Sequence, residues 1–212
     1  NQIDELKKLS KASCDIESFV ESRFNLAELL EKQSKYKEAE EIYQEIKRED
    51  NKQLFLRSRF KLAQLLVKQE KYTDAEDVYR NITREDDKNA FAVSRNNLGV
   101  LFYKLKEYDK AEKAFSEVTR DDHPNKFAFI STNFGIVLKE NDKLVEAKNL
   151  LENITKDDRD CFFKAMFVLG QIHLEKGEHD KAKSAFEESK EMYYYNSERF
   201  IKILDVSSKN IS

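Results

Sequence analysis

Tyr72-Thr73-Asp74-Ala75-Glu76-Asp77-Val78-Tyr79-Arg80-Asn81-Ile82 carries a pattern, Tyr-x2-Ala-x3-aromatic-x2-aliphatic, that the chain repeats. The same spacing returns as Tyr36/Ala39/Tyr43/Ile46, Tyr108/Ala111/Phe115/Val118, Leu144/Ala147/Leu151/Ile154 and His179/Ala182/Phe186/Ser189. Successive starts lie 36, 36, 36 and 35 residues apart. A fixed period of this length marks a stacked array, in which each unit buries its apolar face against its neighbours.

Upstream of each motif lies a second recurring stretch. A Phe opens it at Phe19, Phe55, Phe91, Phe127 and Phe162, and a small residue follows at Ala27, Ala63, Gly99, Gly135 and Gly170. Beside the small residue stand Leu26, Leu62, Leu98, Phe134 and Leu169, and three residues on come Leu30, Leu66, Phe102, Leu138 and His173. Apolar spacings of three, four and seven form one stripe of an amphipathic helix, so each unit reads as two helices joined by a short polar turn such as Lys68-Gln69-Glu70-Lys71. The small residue lets the paired helix approach. The motif Ala is the second close contact, and its aromatic is expected to fill the gap towards the next repeat.

Between units runs a link: Arg48-Glu49-Asp50, Arg84-Glu85-Asp86, Arg120-Asp121-Asp122 and Lys156-Asp157-Asp158. A base ending one helix and acids opening the next would complement the helix dipoles. A calcium loop needs more ligands than this spacing supplies.

On these residues the chain resembles tetratricopeptide-repeat (TPR) proteins, whose consensus pairs Leu-Gly-x2-Tyr with Ala-x3-Phe. Repeat three shows Leu98-Gly99-x2-Phe102, then Tyr108-x2-Ala111-x3-Phe115. The resemblance covers about residues 15–192 in five repeats. The period is longer than the family's 34 residues, and the early Trp and terminal Pro are missing. What the resemblance implies is an all-α fold: a right-handed α-solenoid of stacked antiparallel helix pairs, a TPR-like superhelix.

Residues 1–14 are expected to form a partial repeat or an N-terminal cap helix, since Ile3 and Leu6 fall on the second-helix pattern. The chain opens without Met, which favours a cut into a longer array over a cap. Residues 193–212 are expected to form a capping helix and tail. Ser197 would cap the helix, Phe200, Ile203 and Leu204 would cover the last repeat, and Tyr193–Tyr195 would form a terminal packing seam.

Charge excludes more than it assigns. Thirty-eight basic and 41 acidic residues leave a net −3, so no global field draws nucleic acid. No apolar run is long enough to span a membrane. Cys14 and Cys161 are far apart in sequence, which fits a reducing, cytoplasmic setting. The sequons at Asn81 and Asn153 share one repeat position, so repetition explains them; the third is at Asn210. No metalloprotease, phosphate-loop or nucleophile-elbow pattern occurs, and four Gly make a phosphate cradle hard to build. His173 and His179 could approach each other but have no evident third ligand. The reading is a protein without catalytic residues, metal or cofactor.

First helices line the concave face of such an array. Groove positions are expected six, three and two residues before the small residue, and one and five after. Two before stand Asn25, Lys61, Asn97, Asn133 and Val168; three before, Phe24, Phe60, Asn96, Thr132 and Phe167. Six before stand Glu21, Arg57, Val93, Phe129 and Lys164; five after, Lys32, Lys68, Lys104, Glu140 and Glu175. Asn offers both donor and acceptor, so the row Asn25, Asn97, Asn133 could pair with the backbone of an extended peptide. Similar Asn ladders serve TPR-like peptide receptors, including bacterial pheromone-sensing regulators. The Lys row would favour acidic groups at one end, and the Glu pair basic groups at the other. The chaperone-tail carboxylate clamp needs Lys and Asn in the first repeat, where Phe24 and Glu28 stand, so it is not expected.

The expected function is a protein-interaction module that holds a peptide or partner segment in its concave groove. The candidate contacts are Asn25, Arg57, Lys61, Lys68, Asn96, Asn97, Lys104 and Asn133. The alternative is a structural or sensory segment of a longer protein that packs on its own neighbouring domains.

Overall fold

The computed structural model describes residues 15–190 together with 196, 197 and 201. The chain divides into two compact units, Asn1–Asn97 and Leu98–Ser212. In the first, α1 (Ile16–Lys32) packs on α2 (Tyr36–Glu45), and α3 (Lys52–Lys68) packs on α2 and on α4 (Tyr72–Arg80). Helix α5 (Lys88–Lys104) begins in the first unit and ends in the second. The second unit continues with α6 (Tyr108–Ser116), α7 (Pro124–Glu140), α8 (Leu144–Glu152), a 3-10 turn (Lys156–Asp158) and α9 (Arg159–Glu175). Here α7 packs on α6 and α8, and α9 packs on both α7 and α8. Residues 179–190 form a further helix, α10.

Each boundary has a local cause. Asp15, Asn51 and Asp87 cap α1, α3 and α5, accepting from the amides of Ser18 (3.0 Å), Leu54 (2.9 Å) and Ala90 (2.8 Å). Pro124 at the start of α7 needs no amide partner there. First helices end in a left-handed residue: Ser34, Glu70, Lys106, Asp142 and Gly177 all have φ near 60–70°. The next amide then bonds back over the turn, Lys71 N–H to the Leu66 carbonyl (2.9 Å) and Glu178 N–H to that of His173 (2.9 Å). This is the Schellman closure, and it folds the second helix back onto the first.

The recurring motif is the core. Ala39, Ala75, Ala111, Ala147 and Ala182 are fully buried, as are Tyr43, Leu151 and Phe186 four residues on. The expectation that this bulky residue fills the gap to the next repeat is corrected. It lies over the small residue of its own pair: a Cβ on Gly135 would meet Leu151 at 2.6 Å, and one on Gly170 would meet Phe186 at 2.6 Å. In repeats one, two and five its ring also packs on the residue three before the small one, as Phe24–Tyr43, Phe60–Tyr79 and Phe167–Phe186. Phe115 also reaches onward, stacking on Phe134 at 5.9 Å, and Leu151 shares a buried cluster with Phe162 and Leu169 of the following repeat.

The links also differ from expectation. Their base lies over the opening Phe of the helix ahead. Arg48, Arg84 and Arg120 sit 4.7, 4.2 and 5.0 Å from the rings of Phe55, Phe91 and Phe127, and Lys156 sits 5.3 Å from Phe162. Each such contact contributes about 0.5–1 kcal/mol, more when desolvated. The third link residue ties the loop to itself. Buried Asp86 accepts from Thr83 N–H (3.0 Å) and Oγ1 (3.1 Å), and buried Asp122 accepts from Thr119 N–H and Oγ1, both at 2.9 Å.

A second cation row accompanies the first. Arg59 stacks on Phe55 and donates to the carbonyls of Tyr43 (3.1 Å), Gln44 (3.3 Å) and Ile46 (2.7 Å), closing the end of α2. Arg95 does the same over Phe91, donating to the Tyr79 carbonyl at 3.2 Å. The following repeat thus adds a cation to the carbonyl end of each of these second helices.

Residues 1–14 and Tyr193–Tyr195 lie outside the described residues, as do Phe200, Ile203 and Leu204, so the expectations placed on them stand as stated. Ser197 does not play the capping part expected of it. It is helical and buried, and its hydroxyl shares a 2.6 Å bond with Ser189. Ile201 is buried against Ala182 and Phe186.

Candidate functional site

In the first unit the expected groove residues are largely engaged by the neighbouring repeat. Lys61 Nζ pairs with Glu28 at 3.0 Å, and Lys68 Nζ donates to the Tyr36 hydroxyl at 2.8 Å. The Arg57 guanidinium lies 4.4 Å over Phe24 with its residue exposed. Asn96 donates to Asn97 Oδ1 at 3.4 Å, and Asn97 in turn bonds the Tyr79 hydroxyl. Burial raises the Tyr79 phenol above its ordinary range, the Asn97 bond pulling weakly the other way. Asn25 is exposed.

Positions three before the small residue are mostly core. Phe24 and Thr132 are buried, and Phe60 and Phe167 face second-helix rings. That part of the expectation is corrected. In an amphipathic pair this position points at the helix crossing, so its side chain packs inward.

In the second unit the expected positions converge. A pocket of about 260 Å³ is lined by Val100, Tyr103, Lys104, Phe115, Asn133, Ile136, Val137 and Lys164. Val100 and Ile136 stand one residue after Gly99 and Gly135, Asn133 two before Gly135, Lys104 five after Gly99 and Lys164 six before Gly170. Three first helices thus supply one concavity, with Phe115 of α6 beneath it. Apolar side chains form its floor, and two cations and an amide form its rim.

Lys164 defines the site's electrostatics. Its Nζ donates to Asn133 Oδ1 at 3.2 Å, and among the described residues it has no carboxylate partner. Burial lowers its ammonium below the usual lysine range, with Cys161 opposing slightly. A half-buried cation held by a neutral amide retains capacity for an anionic group. Lys104 is exposed at the other side of the pocket. Phe129, one helical turn before Asn133, leaves 47% of its surface exposed on the same stripe.

The acidic end of the expected charge gradient is satisfied internally. Lys139 pairs with both Glu140 (3.3 Å) and Glu175 (3.1 Å). His173 bonds Glu178 at 2.5 Å, which lowers the Glu178 carboxyl. Among the described residues no three His, Cys, Asp or Glu side chains cluster to hold a metal, and no helix is long and apolar enough to cross a membrane. The sequence reading placed Asn133, Lys104 and Lys164 on groove positions. It missed the floor of Tyr103 and Phe115, because only the second-helix aromatic's turn onto its own pair brings Phe115 there.

Helix pairs closed by Schellman turns and packed through a small-residue notch define an all-α solenoid of repeated pairs. Models of the tetratricopeptide repeat match residues 22–54, 60–125 and 163–196. The chain belongs to the tetratricopeptide-repeat family. Among curated proteins none matches it in sequence. Solved structures match in fold. Yeast Tom70 has a TM-score of 0.67 and 18% identity over 89% of this chain and 40% of that one. PilF of Pseudomonas aeruginosa has 0.62 and 14% over 93% and 94% of the two chains. YrrB, described as a TPR protein with an unusual peptide-binding site, has 0.61 and 17% over 89% and 91%. The TPR fold generally mediates protein–protein interaction, and proteins built of it are generally scaffolds rather than enzymes.

Proposed function

We propose that the chain is a protein-interaction module whose second unit holds an extended partner segment in the Val100–Ile136–Lys164 pocket. One observation carries the reading: two cations and an amide stand around an apolar pocket, and among the described residues the half-buried Lys164 ammonium bonds Asn133 and has no carboxylate partner. At about 260 Å³ the pocket is smaller than ordinary small-molecule sites and suits one or two side chains. The segment that fits presents an apolar side chain to the floor and a carboxylate to Lys104 and Lys164, with Asn133 placed to meet its backbone. In the first unit Asn25, Arg57, Lys61, Lys68, Asn96 and Asn97 are further candidates, most of them by exchanging present intramolecular bonds. YrrB, whose fold is similar, is described as having a peptide-binding site, which is consistent with this reading. A cytoplasmic setting belongs to the same reading and fits Cys161 as a free thiol.

The test is selection of peptides from a displayed random library, with affinity then measured by fluorescence anisotropy. Asn133→Ala/Lys164→Ala, its helicity checked by circular dichroism, is expected to weaken selected peptides at least about tenfold, the size of one desolvated charged contact. Binding is also expected to fall as pH rises through the Lys164 pKa, because the bound carboxylate needs the ammonium form. Selected peptides that lack acidic residues and bind the variant unchanged would overturn the proposal.

A further inference from the structure

Two repeats build the same cleft, between the start of a first helix and the end of its partner, and only one is filled. In repeat two the Arg48 guanidinium occupies it. Nη2 donates to the Asn81 carbonyl at 2.8 Å and to Asp86 Oδ2 at 2.9 Å, Nε lies 2.5 Å from Asp86 Oδ1, and the group sits over Phe55. In repeat four the counterparts are Arg120, Asn153, Asp158 and Phe127. They line an open cleft of about 360 Å³ together with Ser131 and Asp157.

The difference follows from one missing residue. Ile82 to Phe91 is nine residues, whereas Ile154 to Phe162 is eight. The shorter link winds into the 3-10 turn Lys156–Asp158, and Asp158 is exposed where Asp86 is buried. Thr155 Oγ1 now reaches Asp157, at 3.5 Å, instead of the third link residue. Among the described residues neither Asp157 nor Asp158 has an ion pair. Arg120 stays over Phe127 at 5.0 Å, and among the described residues it has no bond to Asn153, Asp157 or Asp158. Position 131 carries Ser where repeats two and three carry Arg59 and Arg95, so no second guanidinium covers this Phe.

We infer that this cleft receives an arginine side chain from a partner protein. The partner's guanidinium would take the place that Arg48 holds in repeat two, donating to Asp158, Asp157 and the Asn153 carbonyl. Charge supports the assignment: two carboxylates against Arg120 leave the cleft one negative charge. The planar five-donor fork of Arg matches a carboxylate beside a carbonyl better than an ammonium does. The dipole of the next helix does not forbid it, because Arg48 sits in the same relation to α5. Phe127 and Ile136 are nine residues apart on α7, roughly half a turn around the helix. The cleft is therefore a surface separate from the groove pocket, and it would stand if the groove reading failed.

The probe is L-arginine amide, titrated into the full chain while the amide resonances of residues 153–158 are followed. L-citrulline amide, which keeps the α-amino group and the side-chain shape but has a neutral ureido in place of the guanidinium, is the control. Saturating shifts with arginine amide in the millimolar range, several-fold weaker or absent with citrulline amide, are expected for one solvent-exposed pair. Asp157→Asn/Asp158→Asn should weaken binding by about threefold or more. Arg120→Gln, which removes the like charge at the mouth, should strengthen it about twofold. Equal shifts with citrulline amide, shifts confined to other residues, or none even in Arg120→Gln would overturn the inference.

Discussion

Gly170 stands in mid-helix, where alanine would ordinarily be favoured by about 1 kcal/mol. Here a Cβ would sit 2.6 Å from the fully buried Phe186 ring, so packing outweighs propensity. Gly170→Ala is expected to destabilise the second unit by about 1–2 kcal/mol in urea unfolding. Lys106 gives the opposite case. It holds φ at 60° with an L side chain at the end of α5, a conformation that costs about 1–2 kcal/mol. Lys106→Gly is expected to stabilise by about 0.5 kcal/mol, the relief being partly offset by glycine's larger unfolded-state entropy. The notch glycines were legible in the sequence, because a small residue recurring at one phase of an apolar stripe has only a packing reason. The left-handed positions were not, since Ser, Glu, Lys and Asp occupy four of the five and none announces a positive φ.

At the scale of elements, the link shows how a motif can be read correctly as repeated and wrongly as to role. Arg and Asp flanking a helix junction suggest dipole complements, and that expectation counts only charges. What decides the geometry is the ring seven residues after Arg48, which offers the guanidinium a face, and Thr83, which anchors the Asp86 carboxylate. The caps are instead supplied one residue later, by Asn51 and Asp87. Arg59 and Arg95 were equally available to inspection, four residues after Phe55 and Phe91, but their carbonyl targets belong to another helix and become evident only when the pairs stack. Asp86 is buried and relies on Arg48, so Arg48→Ala is expected to destabilise the first unit by about 2–3 kcal/mol. Arg48→Ala/Asp86→Ala should recover part of that loss, the recovery being read as a coupling energy in a double-mutant cycle.

For the whole molecule, the period alone carried the fold, because a unit that cannot bury its own apolar face must stack on its like. The groove was legible only as a set of phases along first helices. Which phases remain open depends on the second-helix aromatics, which draw Phe24 and Phe60 inward, and on neighbouring repeats, which engage Lys61 and Lys68. What is left concentrates at Lys104, Asn133 and Lys164 over Val100 and Ile136. The most direct measurement is methyl NMR of the chain with a selected acidic–apolar peptide added. The methyl signals of Val100, Ile136 and Val137 are predicted to shift and saturate together, and to stay still in Asn133→Ala/Lys164→Ala. Saturating binding that leaves those three methyls unmoved would contradict the account.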